Sequence, residues 1–157
     1  MKNKFLLVLS SLLLILGLTG CGEDPVLTKF KADVESFCNE IQIIDASINS
    51  IDAQSESAPD ELLGYLDQLD QSFKVFAELS APEEYAYVEG LADEASTYMT
   101  TAVEAFHEAY GDNSFNEYTE EYARENYERA YLRITVILQL LHGEDINIDG
   151  VTIEQAQ

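Results

Sequence analysis

The sequence predicts an all-α protein: an up-down-up-down four-helix bundle followed by a short hairpin-like C-terminal tail. Three observations lead there. Apolar residues recur three and four apart through four long stretches, which is the period of an amphipathic helix and not of a strand. Residues that start and stop helices fall between those stretches. The connections are short, so consecutive helices should lie side by side and antiparallel. A three-helix core with a detached first helix is the rival arrangement.

The first helix is expected to begin near Thr28, acting as N-cap. Its apolar residues Phe30, Val34, Phe37, Ile41, Ile44, Ile48 and Ile51 are spaced 4-3-4-3-4-3, a coiled-coil-like seam suited to neighbours inclined by about 20°. Isoleucine is β-branched and only a moderate helix former, so the period decides the assignment and not propensity. Gln54-Ser55-Glu56 is a polar break. Ser57-Ala58-Pro59-Asp60-Glu61 then reads as a helix start, with a serine cap, an early proline and acids in the first turn. The second helix carries Leu62, Leu66, Leu69, Phe73 and Phe76, again spaced 4-3-4-3.

A similar start follows at Ser80-Ala81-Pro82-Glu83-Glu84, where Ser80 and Glu83 match a capping box. The third helix should run from Pro82 to Tyr110 with Tyr85, Val88, Ala92, Ala95, Met99, Ala102, Phe106 and Ala109 inside; its alanines would let a partner helix come close. Gly111 is expected to stop it. Asp112 and Asn113 turn the chain, and Ser114 with Glu117 repeats the capping box. The fourth helix continues to His142 and ends at Gly143, its inner stripe being Ala123, Tyr127, Ala130, Ile134, Ile137 and Leu141. Glu120 with Arg124, and Glu125 with Arg129, are i,i+4 pairs expected on its exposed side. In the tail, residues 144–157, Ile146 and Ile148 face Val151 and Ile153 across Asp149-Gly150, a type I′ hairpin signal.

Ahead of the bundle stands a leader. Lys2 and Lys4 form a positive n-region, and Phe5 to Leu16 is an apolar run broken by Ser10 and Ser11. The run is shorter than the ~20 residues of a membrane-spanning helix and fits the apolar core of a signal peptide. It closes on Leu18-Thr19-Gly20-Cys21. This stretch resembles the lipobox of bacterial lipoproteins, an aliphatic residue and a small one followed by Gly and Cys. The resemblance implies that residues 1–20 are removed, that Cys21 carries the lipid, and that the mature chain is held on the outer face of a cell membrane. The body resembles the small helical lipoproteins without assigned role. The expected organisation is therefore leader 1–20, lipidated Cys21 with a linker to 27, bundle 28–143 and tail 144–157.

Charge narrows the choice of partner. The chain has 30 acidic and eight basic residues, a net charge of −22 at pH 7, and no Lys or Arg between Lys74 and Arg124. Losing the leader would remove Lys2 and Lys4 and sharpen the imbalance. Nucleic-acid recognition needs a basic footprint, which this chain does not have. Cationic proteins, peptides or ions are the partners such a charge permits, and solubility alone is the simpler account of it. With Cys21 acylated, Cys38 has no thiol to pair with; beside Phe37 in a helical pattern it reads as a small buried side chain.

The candidate chemistry is sparse. Glu104 and His107 have the Glu-x-x-His spacing of di-iron bundles, but no second such motif accompanies them, and Gln139 stands three residues before His142. Asp145-Ile146-Asn147-Ile148-Asp149-Gly150 matches half of a calcium loop, yet Ala156 occupies the twelfth position, where a glutamate would close it. No nucleophile elbow, phosphate-cradling glycine loop or Cys–His pairing is present, so no catalytic residue, metal site or cofactor is expected. The densest grouping lies at the corner between the third and fourth helices: Phe106, Tyr110, Phe115, Tyr118 and Tyr122, with Glu117 and Glu121 among the surrounding acids. Aromatic faces ringed by carboxylates suit a cationic ligand. Equally, the rings could close the end of the core while the acids complement the N-terminus of the fourth helix.

These readings make the chain a membrane-anchored, extracytoplasmic, non-enzymatic binding or scaffolding module. An acidic inhibitor or immunity-type protein that masks a cationic partner is the alternative, followed by a metal-binding helical bundle.

Overall fold

The computed structural model describes residues 24–111 and 115–143. The leader with Cys21, the turn residues 112–114 with the Ser114 capping box, and the tail with its hairpin and half calcium loop lie outside the described residues. The described residues form four α-helices, α1 Pro25–Ser50, α2 Ala58–Ala77, α3 Tyr87–Gly111 and α4 Glu117–Leu141, with one 3-10 turn at Glu83–Tyr85 and no strand.

Helix starts depart most from expectation. α1 begins before Thr28, because Pro25 occupies the first turn and Asp24 caps it by accepting from the Val26 N–H at 2.9 Å. Proline suits that position, since its missing N–H would have no helical partner there. Thr28 sits inside the helix, its hydroxyl donating back to the Asp24 carbonyl. Ser57 stands at the N-cap of α2, but its hydroxyl donates to Glu61 Oε1 at 2.6 Å and caps no backbone N–H. The Ser80–Glu83 box does not form either. Glu89 accepts from the Ala81 N–H, and the chain makes the 3-10 turn before α3 opens at Tyr87. Gly111 remains helical as the last residue of α3, whereas Gly143 has φ of +70° and ends α4 in the left-handed conformation that glycine tolerates. Asn116 caps α4, accepting from the N–H groups of Tyr118 and Thr119.

The seams bury as the periodicity predicts. Phe30, Val34, Phe37, Ile41 and Ile44 of α1, and Leu66, Leu69, Phe73 and Phe76 of α2, enter one core with the alanines of α3 and α4. Phe37 stacks on Phe76 at 4.2 Å between centroids and meets Phe73 edge-on at 5.2 Å. Such aromatic pairs add about 0.5–1.5 kcal/mol beyond area burial. Cross-helix bonds show the antiparallel order. Glu40 accepts from Ser72; Asp70 accepts from Thr100 while Asp67 meets His107; Glu94 meets Arg133. In the α2–α3 pairs the partner's number falls as the other's rises. α3 and α4 make the most extensive contact and α1 rests mainly on α2. The reason is side-chain size: Ala95, Ala102 and Ala109 face Ala123 and Ala130, all fully buried, so those backbones approach closely.

α4 buries more polar groups than an amphipathic stripe allows. Glu120, Asn126 and Arg133 are all buried. Arg133 donates to Glu94 Oε2 at 2.9 Å, and its guanidinium lies 4.9 Å from the centre of the Tyr98 ring. The Asn126 amide donates to the Tyr122 carbonyl. These buried side chains thus have partners, as burial demands, whereas the buried Gln139 Oε1 on the same helix has none among the described residues.

Candidate functional site

Two features occupy the end of the bundle where α1 finishes, α2 begins and the α3–α4 corner lies. One is a surface and the other is a cavity beneath it.

The surface is built from the first turns of α4. The cap at Asn116 sets the helix start, and Tyr118 and Tyr122, four residues apart, then share one face. Both project into solvent, Tyr118 being 85 % and Tyr122 51 % exposed, and Phe115 beside them is 58 % exposed. Glu117 and Glu121 are exposed on the same turns. The rest of the predicted aromatic group divides. Phe106 is buried and Tyr110 half-buried, and they form a ladder of rings inward from Phe115: Tyr110 lies 5.2 Å from Phe115 and 6.5 Å from Phe106. Phe106 therefore belongs to the core and not to a ligand-facing tip; the α3 period that puts Ala102 and Ala109 inside carries it inward too. Phe115, Tyr118 and Tyr122 account for half of the six large hydrophobic residues exposed among the described residues, a clustering at one end that scattered surface exposure does not produce.

The cavity has a volume of about 110 Å³. Each helix contributes a wall: Ile48 from α1, Leu62 and Leu66 from α2, Phe106 and Tyr110 from α3, and Tyr127 from α4. Glu120 and Arg124 complete the lining. This corrects the expectation of an exposed Glu120–Arg124 pair. The two are paired, but the glutamate is buried and the arginine half-exposed, so the pair spans the boundary between core and solvent. Glu125 and Arg129 do form the exposed pair expected, at 3.4 Å. Burial raises the Tyr110 phenol above its usual range, with the Glu120 charge adding to the shift and the Arg124 charge opposing it.

Behind the Tyr127 wall lies a group that no sequence pattern marks. Asp45 of α1 accepts from the Tyr127 hydroxyl at 2.8 Å and from the Tyr131 hydroxyl at 2.9 Å, and the two rings stack with centroids 4.7 Å apart. Desolvation raises the Asp45 carboxyl, with the two phenolic hydrogen bonds opposing that shift. Desolvation also raises both phenols well above 10, and the Asp45 charge pushes them the same way. The phenols accordingly stay protonated and hold α1 to α4. A polar residue on the inner edge of one helix and a tyrosine pair at i,i+4 on another is the only sequence signal available, and it needs the helix order before it means anything.

The remaining candidates separate. His107 Nε2 lies 2.7 Å from Asp67 Oδ1 of α2 in an exposed pair, with Glu104 exposed nearby on α3. Among the described residues no three His, Cys, Asp or Glu side chains converge as a metal site would require. Cys38 is buried, and desolvation, with the nearby Glu35 charge, pushes its thiol up to about 11, far from the range of a reactive thiolate. No helix among the described residues is long and apolar enough to cross a membrane. Set against protein-family models, curated proteins and solved structures, the chain matches none of them.

Proposed function

We propose that this chain is a lipid-anchored, extracytoplasmic and non-enzymatic binding module that offers a cationic protein or peptide the end of its bundle remote from the anchor. The reading rests chiefly on one observation: Phe115, Tyr118 and Tyr122 stand exposed together among carboxylates at the end of α1 opposite Asp24. α1 has 26 residues, which is about 39 Å of helix. A lipid on Cys21, three residues before Asp24, would set that aromatic end well clear of the bilayer. Two acyl chains would make the anchorage stable, as one alone is marginal.

The chemistry of the surface selects the partner. Tyrosine offers a large, rigid contact face and a ring that attracts guanidinium and ammonium groups. The carboxylates and the net charge of −22 speed the approach of a basic partner. They also repel a second copy of the chain, so self-association does not explain the exposed rings. Masking a basic enzyme or toxin is one form this binding could take.

Two measurements test the proposal. Mass spectrometry of native material should find Cys21 as an acylated N-terminus; an intact, unmodified leader would remove the anchor. An Arg/Lys-rich peptide titrated onto the full chain should bind with strong salt dependence, and the double variant Tyr118→Ala, Tyr122→Ala should weaken it by roughly tenfold or more, as removal of aromatic contact residues does. Unchanged binding in that variant would refute the surface.

A further inference from the structure

The outward stripe of α4 changes character half-way along the helix. At about 100° per residue, Glu121, Glu125, Glu128, Leu132, Thr135 and Gln139 fall on the side opposite the inner stripe. The three glutamates are exposed, whereas Leu132, Thr135 and Gln139 are half-buried, and Val136 beside them is 0 % exposed. A helix side that faces water should be polar and open. Among the described residues α4 makes its extensive contact with α3, where Arg133 meets Glu94, and α1 reaches it through the Asp45 bonds to Tyr127 and Tyr131. Those contacts fall on its two flanks and leave the stripe between them without a described helix. Gln139 Oε1 is buried there with no hydrogen-bond partner, a cost that a covering segment with free N–H groups removes. We infer that the stripe from Leu132 to Gln139 is the docking site of this chain's own C-terminal segment, residues 144–157, which lies outside the described residues.

Pattern, reach and charge select that occupant. Folded about Asp149-Gly150, the segment pairs Ile148 with Val151 and Ile146 with Ile153. This pairing puts all four apolar side chains on one face of a hairpin and Asn147 and Thr152 on the other. Such a hairpin is marginal alone and needs a surface against its apolar face. Its four-residue strands, about 13 Å long, match the roughly 10 Å of helix from Leu132 to Gln139. The N–H groups along its outer edges are unpaired within the hairpin and supply the donor that Gln139 Oε1 lacks. Gly143, with φ of +70°, turns the chain out of α4 one turn beyond Gln139, so the tether holds the segment beside the stripe at high effective concentration. Charge agrees. The segment carries Glu144, Asp145, Asp149 and Glu154 and no basic residue, and between Glu128 and Glu144 lies the longest run without an acid after Cys21, with Arg133 inside it. The glutamates on the first half of α4 repel the segment, whereas the second half does not. A second copy of the chain is opposed on the same stripe by the net charge of −22.

NMR on the full chain tests the docking. Nuclear Overhauser cross-peaks are expected from the methyl groups of Ile146, Ile148, Val151 and Ile153 to those of Leu132 and Val136. Backbone N–H exchange at Ile146, Ile148, Val151 and Ile153 should be roughly tenfold or more slower than the random-coil rate. Leu132→Glu continues the acidic register of Glu121, Glu125 and Glu128, and should return that exchange to the random-coil rate while circular dichroism stays helical. Gly150→Val, which denies the turn its left-handed residue, should do the same. If a variant fails to fold, the cross-peaks and exchange rates of the unaltered chain decide. Missing cross-peaks, random-coil exchange in the unaltered chain, or protection that survives either substitution would each overturn the inference. So would cross-peaks to Leu132 that arise between two molecules in a mixture of labelled and unlabelled chains. None of these outcomes bears on the peptide surface, whose contacts lie at Tyr118 and Tyr122.

Discussion

Asp45 shows how a single side chain can work against the stability of the fold at neutral pH and still hold two helices together. Its carboxylate is half-buried between α1 and α4, and desolvation raises its pKa despite two phenolic donors. A carboxyl whose folded pKa lies above its unfolded value of about 3.9 adds stability fully below that value, and the contribution is lost as pH rises through the folded pKa. Replacing it by asparagine removes the titration. Relative to the parent, Asp45→Asn should therefore gain stability as pH rises from about 4 towards 7. Urea unfolding midpoints of the two proteins at several pH values measure this directly. A difference between them that is constant with pH would show that Asp45 titrates alike folded and unfolded. Nothing in the sequence near Asp45 announces this behaviour, because both its partners come from a helix more than 80 residues further along.

At the scale of the element, stability at the helix ends rests on different residues from those the start signals name. Asn116 accepts from two backbone N–H groups of α4, while Ser57 at the equivalent position of α2 accepts from none. Asn116→Ala should cost about 1 kcal/mol, and Ser57→Ala clearly less, since it loses only exposed side-chain hydrogen bonds with Glu61 and Ser55. Chemical denaturation of the two variants side by side checks the order; equal losses would deny Asn116 its capping role. The contrast explains what the sequence could reveal. The number of helices, their inner faces and the stop at Gly143 were legible, because a 4-3 spacing of apolar residues leaves a helix one way to bury them. The starts were less so: Asp24, Ser57, Ser80 and Asn116 all have capping chemistry, and the choice among such residues depends on neighbours such as Pro25 and Glu89. The buried polar residues of α4 escaped notice for another reason. Ala123, Asn126, Ala130, Arg133 and Ile137 keep the 3-4-3-4 spacing of a seam, but a search for apolar residues alone skips its polar members. Tyr118 and Tyr122 were legible as a pair, and only the packing of α3 separates them from Phe106.

For the molecule as a whole, charge gives folding and binding opposite responses to salt. At pH 7 the net charge is −22, and the described ion pairs are few, with Lys29–Asp33 and Arg129–Glu125 both largely exposed. Exposed pairs contribute about 0–1 kcal/mol each, too little to offset repulsion summed over so many carboxylates. Salt shortens the screening length from ~30 Å at 0.01 M to ~10 Å at 0.1 M, which weakens that long-range repulsion more than it weakens contact pairs. The melting temperature of the full chain should therefore rise with sodium chloride over this range. Affinity for a basic peptide at Tyr118 and Tyr122 should fall over the same range, because the attraction that draws the peptide in is screened alike. A melting temperature that falls with salt would mean that local pairing outweighs net repulsion. It would then also remove the argument that keeps a second copy of the chain away from the exposed rings, so the thermal measurement bears on the identity of the partner as well as on the stability of the bundle.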